Sequence, residues 1–173
     1  QDVFINALGM RGPELVAKEK GTKRVFVVGD SFTFGWGVSE DETFVRRIEG
    51  IVEGTDLING GIGNTNTIQQ FAYLKSIISE VDPDLIFWCF YLNDAEPAQK
   101  YEEPKARLFL TALLKRGHYR IREFLWPETY AYSGFYRSLY EGENWEKYQN
   151  VIATASQWAK SEKKSLVVAL LPD

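Results

Sequence analysis

The chain has 173 residues, the length of one ordinary domain and too few for two comfortable ones. With 45% hydrophobic and 25% charged residues it has the balance of a globular protein rather than a disordered one. A formal net charge of −4 excludes the broad basic surface of a general nucleic-acid binder. The longest apolar run, Leu85 to Leu92, has strand length and falls well short of a bilayer span. The opening Gln1-Asp2 begins no signal peptide, and a start at Gln is what a trimmed or processed chain would show. A lone cysteine, Cys89, allows neither an intrachain disulfide nor a cysteine metal cluster, and His118 is the only histidine.

In chain order, Lys23 to Gly29 (KRVFVVG) reads as a buried strand running into a sharp Gly-Asp-Ser turn. Ser39 with Glu42 three residues later makes a capping box. The spacing of Phe44, Val45, Ile48 and Val52 then predicts a helix over about 40–53. Asp56 to Asn59 predicts a short strand, followed by the loop Gly60-Gly61-Ile62-Gly63-Asn64. Thr65 or Asn66 caps the next helix, whose apolar face includes Ile68, Phe71, Leu74 and Ile78. Asp82-Pro83 stops it, because proline drives its predecessor out of the α region. Leu85 to Leu92 (LIFWCFYL) shows no polar alternation and so predicts a central strand covered on both faces.

From about Ala95 to Gly142 the chain becomes rich in Tyr, Phe and Arg, punctuated by Pro97, Pro104 and Pro127. Short helices are expected over 105–114, 121–125 and 133–140. A long helix from about Asn144 to Lys163 carries Trp145, Tyr148, Ile152, Ala155 and Ala159 on one stripe. Ser165 to Leu171 then predicts a last buried strand. Strands alternating with helices give a three-layer α/β/α sandwich with a central parallel sheet, flavodoxin-like, with right-handed crossovers. The expected organisation is one domain over 1–173, with the aromatic-rich helical segment 95–142 as an insertion.

In an open parallel sheet, ligands bind beyond the carboxyl ends of the strands. Three features fall there: Gly29-Asp30-Ser31, the Gly-rich loop from Asn59 to Thr67, and Tyr91-Leu92-Asn93-Asp94. Each alone is ordinary turn or capping chemistry. Together they supply a hydroxyl nucleophile, backbone N–H groups and a side-chain amide, the parts that acyl transfer needs. Asp30 and Asp94 suit bonding to local backbone N–H groups.

These residues resemble the SGNH hydrolases, also called GDSL esterases and lipases. Val27 to Phe44 (VVGDSFTFGWGVSEDETF) looks like the first block of that family, with Ser31 as nucleophile. Asn6 to Glu14 is similar to a lead-in of bacterial members. The second block implies a backbone donor to the oxyanion at Gly63 or Asn64, and the third a side-chain donor at Asn93. Tyr91 stands where most members have glycine. The resemblance implies a serine esterase or O-acyl transferase acting on a small-molecule or glycan ester, such as an O-acetylated glycan, through an acyl-enzyme on Ser31. It implies no metal or organic cofactor.

The family places its general base and supporting carboxylate in an Asp-x-x-His block after the last strand. No such block occurs before Asp173, so the expected reading is a domain incomplete at its C-terminus. His118, within the basic stretch Lys115 to Arg122, suits a solvated helix end. Tyr91, Trp126 and Tyr132 are candidate substrate-binding residues. Trp126, Tyr130, Tyr132, Phe135 and Tyr136 are expected near the mouth of the Ser31 pocket, where aromatic rings select an acyl group or a sugar. An extracytoplasmic or cell-envelope location is the expected setting. The rival reading is a catalytically inactive SGNH-like module that holds a glycan or an anion at the same strand ends. A Gly-rich loop before a helix N-terminus suits an anion, although no Walker lysine follows it.

Overall fold

The structure, a computed structural model, describes residues 3–98, 118, 120–122, 124–125 and 132–171. Four strands, β1 (Lys23–Gly29), β2 (Thr55–Gly61), β3 (Leu85–Phe90) and β4 (Ser165–Leu170), form one sheet in the order β2-β1-β3-β4. Every neighbouring pair is parallel. The helices are α1 (Ser31–Phe34), α2 (Phe44–Glu49), α3 (Thr67–Val81), α4 (Tyr132–Leu139) and α5 (Gly142–Ser161). Residues 118, 120–122 and 124–125 are also helical, with His118 exposed.

Strand order explains the layering. The chain steps from β1 to β2 on one side, then crosses back over β1 to reach β3 and β4. Right-handed crossovers put the connections of opposite direction on opposite faces. Accordingly, α3 and α5 bury Phe71, Leu74, Ile77, Ala155 and Ala159 against Phe26, Val28, Ile86 and Trp88. On the other face Val45 of α2 packs with Val27, Leu57 and Cys89. The result is the expected α/β/α sandwich. The order reverses between β1 and β3, and the crevice at such a switch point is where α/β sheets bind ligands.

Two expectations need correction. The helix expected over 40–53 is broken into a 3₁₀ turn, Glu40–Glu42, and the short α2. The Ser39–Glu42 box forms, with Glu42 Oε2 accepting from the Ser39 N–H at 3.1 Å. Thr43 then leaves helical geometry (ψ 143°) to cap α2, its hydroxyl accepting from the Arg46 N–H at 3.3 Å. A second cap competes with continuation of the first helix, and the cap wins. The second correction concerns β4. It stands at one end of the sheet among the described residues, with Val167 45% and Leu170 77% exposed rather than buried. The cluster that Val45 of α2 forms holds Val27 of β1, Leu57 of β2 and Cys89 of β3, and no β4 residue.

The strand expected at Asp56–Asn59 runs from Thr55 to Gly61, so Gly60 and Gly61, expected in the loop, pair with Val28 and Gly29 of β1; other boundaries agree closely. Asn66 caps α3, accepting from the Gln69 N–H at 3.1 Å. Asp82 ends α3 in the left-handed region (φ 44°) just before Pro83. Among the described residues no helix is long and apolar enough to cross a membrane.

Candidate active site

Ser31 opens α1 directly beyond β1. Asp30 caps that turn, its Oδ1 accepting from the Phe32 N–H at 2.9 Å. The turn can lie so close to the sheet only because β2 ends in glycine. A Cβ on Gly61 would sit 2.1 Å from the Phe34 nitrogen, and one on Gly29 would sit 2.1 Å from Thr33 Oγ1. The loop after β2 starts with the Ile62 N–H donating to the Gly29 carbonyl at 2.9 Å. That bond ties the second strand end to the first. A Cβ on Gly63 would lie 3.9 Å from Ser31 Cβ, so the Gly63 backbone flanks the serine. Asn64 follows in the left-handed region (φ 58°), which asparagine tolerates better than most residues.

The third strand end is a 3₁₀ turn, Leu92–Ala95, and it is held from several directions. Asp94 is fully buried. Its Oδ2 accepts from the Tyr91 N–H at 2.7 Å, and its Oδ1 accepts from Gln70 Nε2 at 2.6 Å. Gln70 Oε1 in turn accepts from Trp88 Nε1 at 2.6 Å. Thr67 Oγ1 donates to the Asp94 carbonyl at 2.8 Å. Just after α4, the Tyr140 hydroxyl donates to the Leu92 carbonyl at 2.9 Å, and from α5 the Tyr148 hydroxyl donates to the Glu96 carbonyl at 2.8 Å. Tyr136 donates to Glu96 Oε1 at 2.6 Å. Asn93 is thereby carried on a clamped turn.

Asn93 lines a cavity of about 240 Å³ with the polar side chains of Asn64, Thr65, Asn66, Gln69 and Glu96, and with Pro97 and Ala98. Its Oδ1 is buried and makes no hydrogen bond among the described residues. On the other side of the serine, Ser31, Phe32, Trp36, Val38 and Phe44 line an apolar groove of about 350 Å³. The Tyr91 ring packs on Phe32 with centroids 4.1 Å apart, joining the first and third strand ends. Tyr91 has extended backbone (φ −115°), so no glycine is needed there.

The electrostatics are those of a buried acidic floor. Burial raises the Asp94 carboxyl to about 7, with repulsion from Asp30 adding to it, against hydrogen bonds from Tyr91 and Gln70. Burial likewise pushes the Cys89 thiol up to about 11, which fits an inert core residue. Among the described residues, the side chain nearest Ser31 Oγ in hydrogen-bonding terms is Asp30, whose Oδ2 lies 3.5 Å away. That is the outer limit of a bond, and Asp30 is already engaged as a cap.

The structure therefore sets the Gly63 backbone beside Ser31, lines one cavity with Asn64 and Asn93, and packs Tyr91 on Phe32 next to the serine, while Ser31 itself lines the apolar groove. Phe135 is 43% exposed on α4, and Tyr136 reaches the cavity wall through Glu96. Trp126, Tyr130 and the side chain of Tyr132 lie outside the described residues, as do the 105–114 segment and Asp173.

No family model matches the sequence, and no curated protein does. Solved structures do match. A protein assigned to the G-D-S-L lipolytic family from Desulfitobacterium hafniense DCB-2 superposes with a TM-score of 0.52 at 16% identity, over 87% of this chain and 61% of its own. TesA superposes with a TM-score of 0.51 at 16% identity, over 84% of this chain and 59% of its own. The chain has the SGNH hydrolase fold. It spans about three fifths of the length of these two structures. Around the site, three residues carry little signal of their own in the sequence: Gln70, which holds Asp94, Trp36, which lines the apolar groove, and Arg11, which donates to the carbonyls of Phe34, Gly35 and Val38. Arg11 looks like one more charge in the lead-in, Gln70 like a solvated helix position, and Trp36 like a loop residue. Only the Gly35-Trp36-Gly37 triplet, an aromatic set between two flexible residues, hints at display.

Proposed function

We propose that the protein is a serine esterase or O-acyl transferase working through an acyl-enzyme on Ser31. The observation that carries this reading is the convergence of Ser31, the Gly63 backbone and the Asn93 cavity at the switch point of the sheet. In the first step Ser31 Oγ bonds to the ester carbonyl carbon, its proton passes to a base, and the carbonyl electron pair moves onto oxygen. The backbone N–H of Gly63 or Asn64 and the Asn93 amide are the donors for that oxyanion. Collapse breaks the bond to the alcohol, which leaves with the proton. Water or an acceptor hydroxyl repeats the sequence in reverse and frees Ser31.

The ester is that of a small alcohol or a glycan, its polar part facing Asn64, Thr65, Gln69 and Asn93. A second reading, a binding module without turnover, draws on one observation. Ser31 has only Asp30, at 3.5 Å, as a side-chain partner among the described residues. Turnover of p-nitrophenyl esters by the protein expressed from its full reading frame separates the two. The proposal expects hydrolysis that Ser31→Ala abolishes. Binding of a glycan without any ester turnover contradicts it.

A further inference from the structure

Trp36 is 80% exposed, yet the loop that carries it is held from beneath by a buried arginine. Arg11, whose side chain is 1% exposed, donates to the carbonyls of Phe34 (3.1 Å), Gly35 (2.6 Å) and Val38 (2.7 Å). Its Nε pairs with Glu40 at 2.9 Å. The Trp36 N–H donates to the Ser31 carbonyl at 3.0 Å, so the loop is also tied to the nucleophile turn. Gly35 and Gly37, both at positive φ (82° and 88°), let the chain turn out and back around the indole. A Cβ on Gly35 would meet Thr43 Cγ2 at 2.6 Å, so that turn is built for glycine. A large aromatic ring held rigidly in solvent loses the favourable burial it would have in a core, and such rings mark binding surfaces.

The groove beside Trp36 decides what is bound. Its walls are Phe32, Trp36, Val38 and Phe44, with Ser31 at one end. Thr43, the other polar residue lining it, is already satisfied. Its hydroxyl donates to the Glu40 carbonyl at 2.8 Å and accepts from Arg46. The Gly35 carbonyl is taken by Arg11. A sugar ring needs hydrogen-bonding partners around its hydroxyls, and these groups offer none. An alkyl chain needs only apolar contact. At about 350 Å³ the groove falls in the range of small-molecule sites. Because the acyl group stays bonded to Ser31 Oγ through both half-reactions, the surface continuous with Ser31 is the one that must hold it.

We propose that this groove is the acyl-chain subsite, and that the acyl group is a medium-length alkyl chain rather than acetyl. The assignment rests on Ser31 being the nucleophile, and its test is arranged so that the two can fail separately. Octanamide and acetamide, uncharged mimics of the acyl half, are titrated against the protein while the backbone N–H signals of Val38 and Phe44, which line the groove, are followed by NMR. Octanamide is expected to bind at least about tenfold more tightly, since each buried methylene favours binding by roughly fourfold. Trp36→Ala, at an exposed position that does not threaten folding, brings the ratio close to one. Trp36→Phe restores most of it, and Ile51→Ala, exposed elsewhere, leaves it unchanged. Equal binding of the two amides, or a preference that survives Trp36→Ala, overturns the subsite. With the protein from its full reading frame, ethyl octanoate should be cleaved faster than octyl acetate. The opposite order gives the groove to the alcohol and overturns the acyl assignment. If neither ester is cleaved while octanamide keeps its advantage, the esterase reading falls and the groove stands as a site for an acyl chain.

Discussion

Burial holds the Asp94 carboxyl up at about 7, far above an exposed aspartate. The folded protein therefore binds a proton at this position, between roughly pH 4 and 7, that the unfolded chain releases. Stability contributed by Asp94 is complete below pH 4 and declines as the pH rises toward 7, by at most about 1.4 kcal/mol per pH unit. Asp84 acts oppositely and lower on the scale, because the Arg24 N–H holds its carboxyl below the usual range. Urea unfolding between pH 5 and 7 should thus show falling stability. A rise over that interval would mean Asp94 is ionised throughout. At Asn93 the proposed oxyanion role makes the expected effect catalytic. Asn93→Ala should lower kcat on an ester by about 10²–10³, the loss of one oxyanion donor, with little change in KM. Unchanged kcat would remove Asn93 from the oxyanion site.

Among the elements, the close approach of β2 to α1 is the most demanding contact. Gly61→Ala places a methyl against backbone rather than against a movable side chain. It should cost at least about 1–3 kcal/mol by urea unfolding. Asn66 has a double duty, capping α3 and donating to the Glu96 carbonyl at 2.9 Å. Asn66→Ala should exceed the ~1 kcal/mol of a lost cap alone, and a smaller loss would show the Glu96 link to be idle. The same elements show what a sequence reveals. The N-cap Asn66 and the stop at Asp82-Pro83 are local chemistry, so both are readable within a few residues. The break at Thr43 is not, because Thr43 reads equally as a helix interior and as a second cap. Ser31 and Asn93 are legible from their turn residues. Gln70, Arg11 and Trp36 matter through partners 24, 23–29 and 5 residues away in sequence, contacts that only the folded chain creates.

For the whole molecule, the parallel sheet follows from alternating strands and helices, but neither its order β2-β1-β3-β4 nor the exposure of β4 does. SLVVAL reads as a buried run because periodicity reports hydrophobicity, not which neighbours cover it. Its exposed Val167 and Leu170 contrast with β1 and β3, which are paired on both sides. Amide hydrogen exchange should therefore be slowest in β1 and β3 and faster in β4, while equal protection would show β4 covered in solution. The account as a whole turns on the reactivity of a single hydroxyl. Its most direct test is intact-mass and peptide mapping of the protein from its full reading frame after exposure to a fluorophosphonate. The account predicts one adduct, on Ser31, that Ser31→Ala abolishes. A folded protein that takes no adduct, or takes it on another serine, would contradict the assignment of Ser31 as the nucleophile.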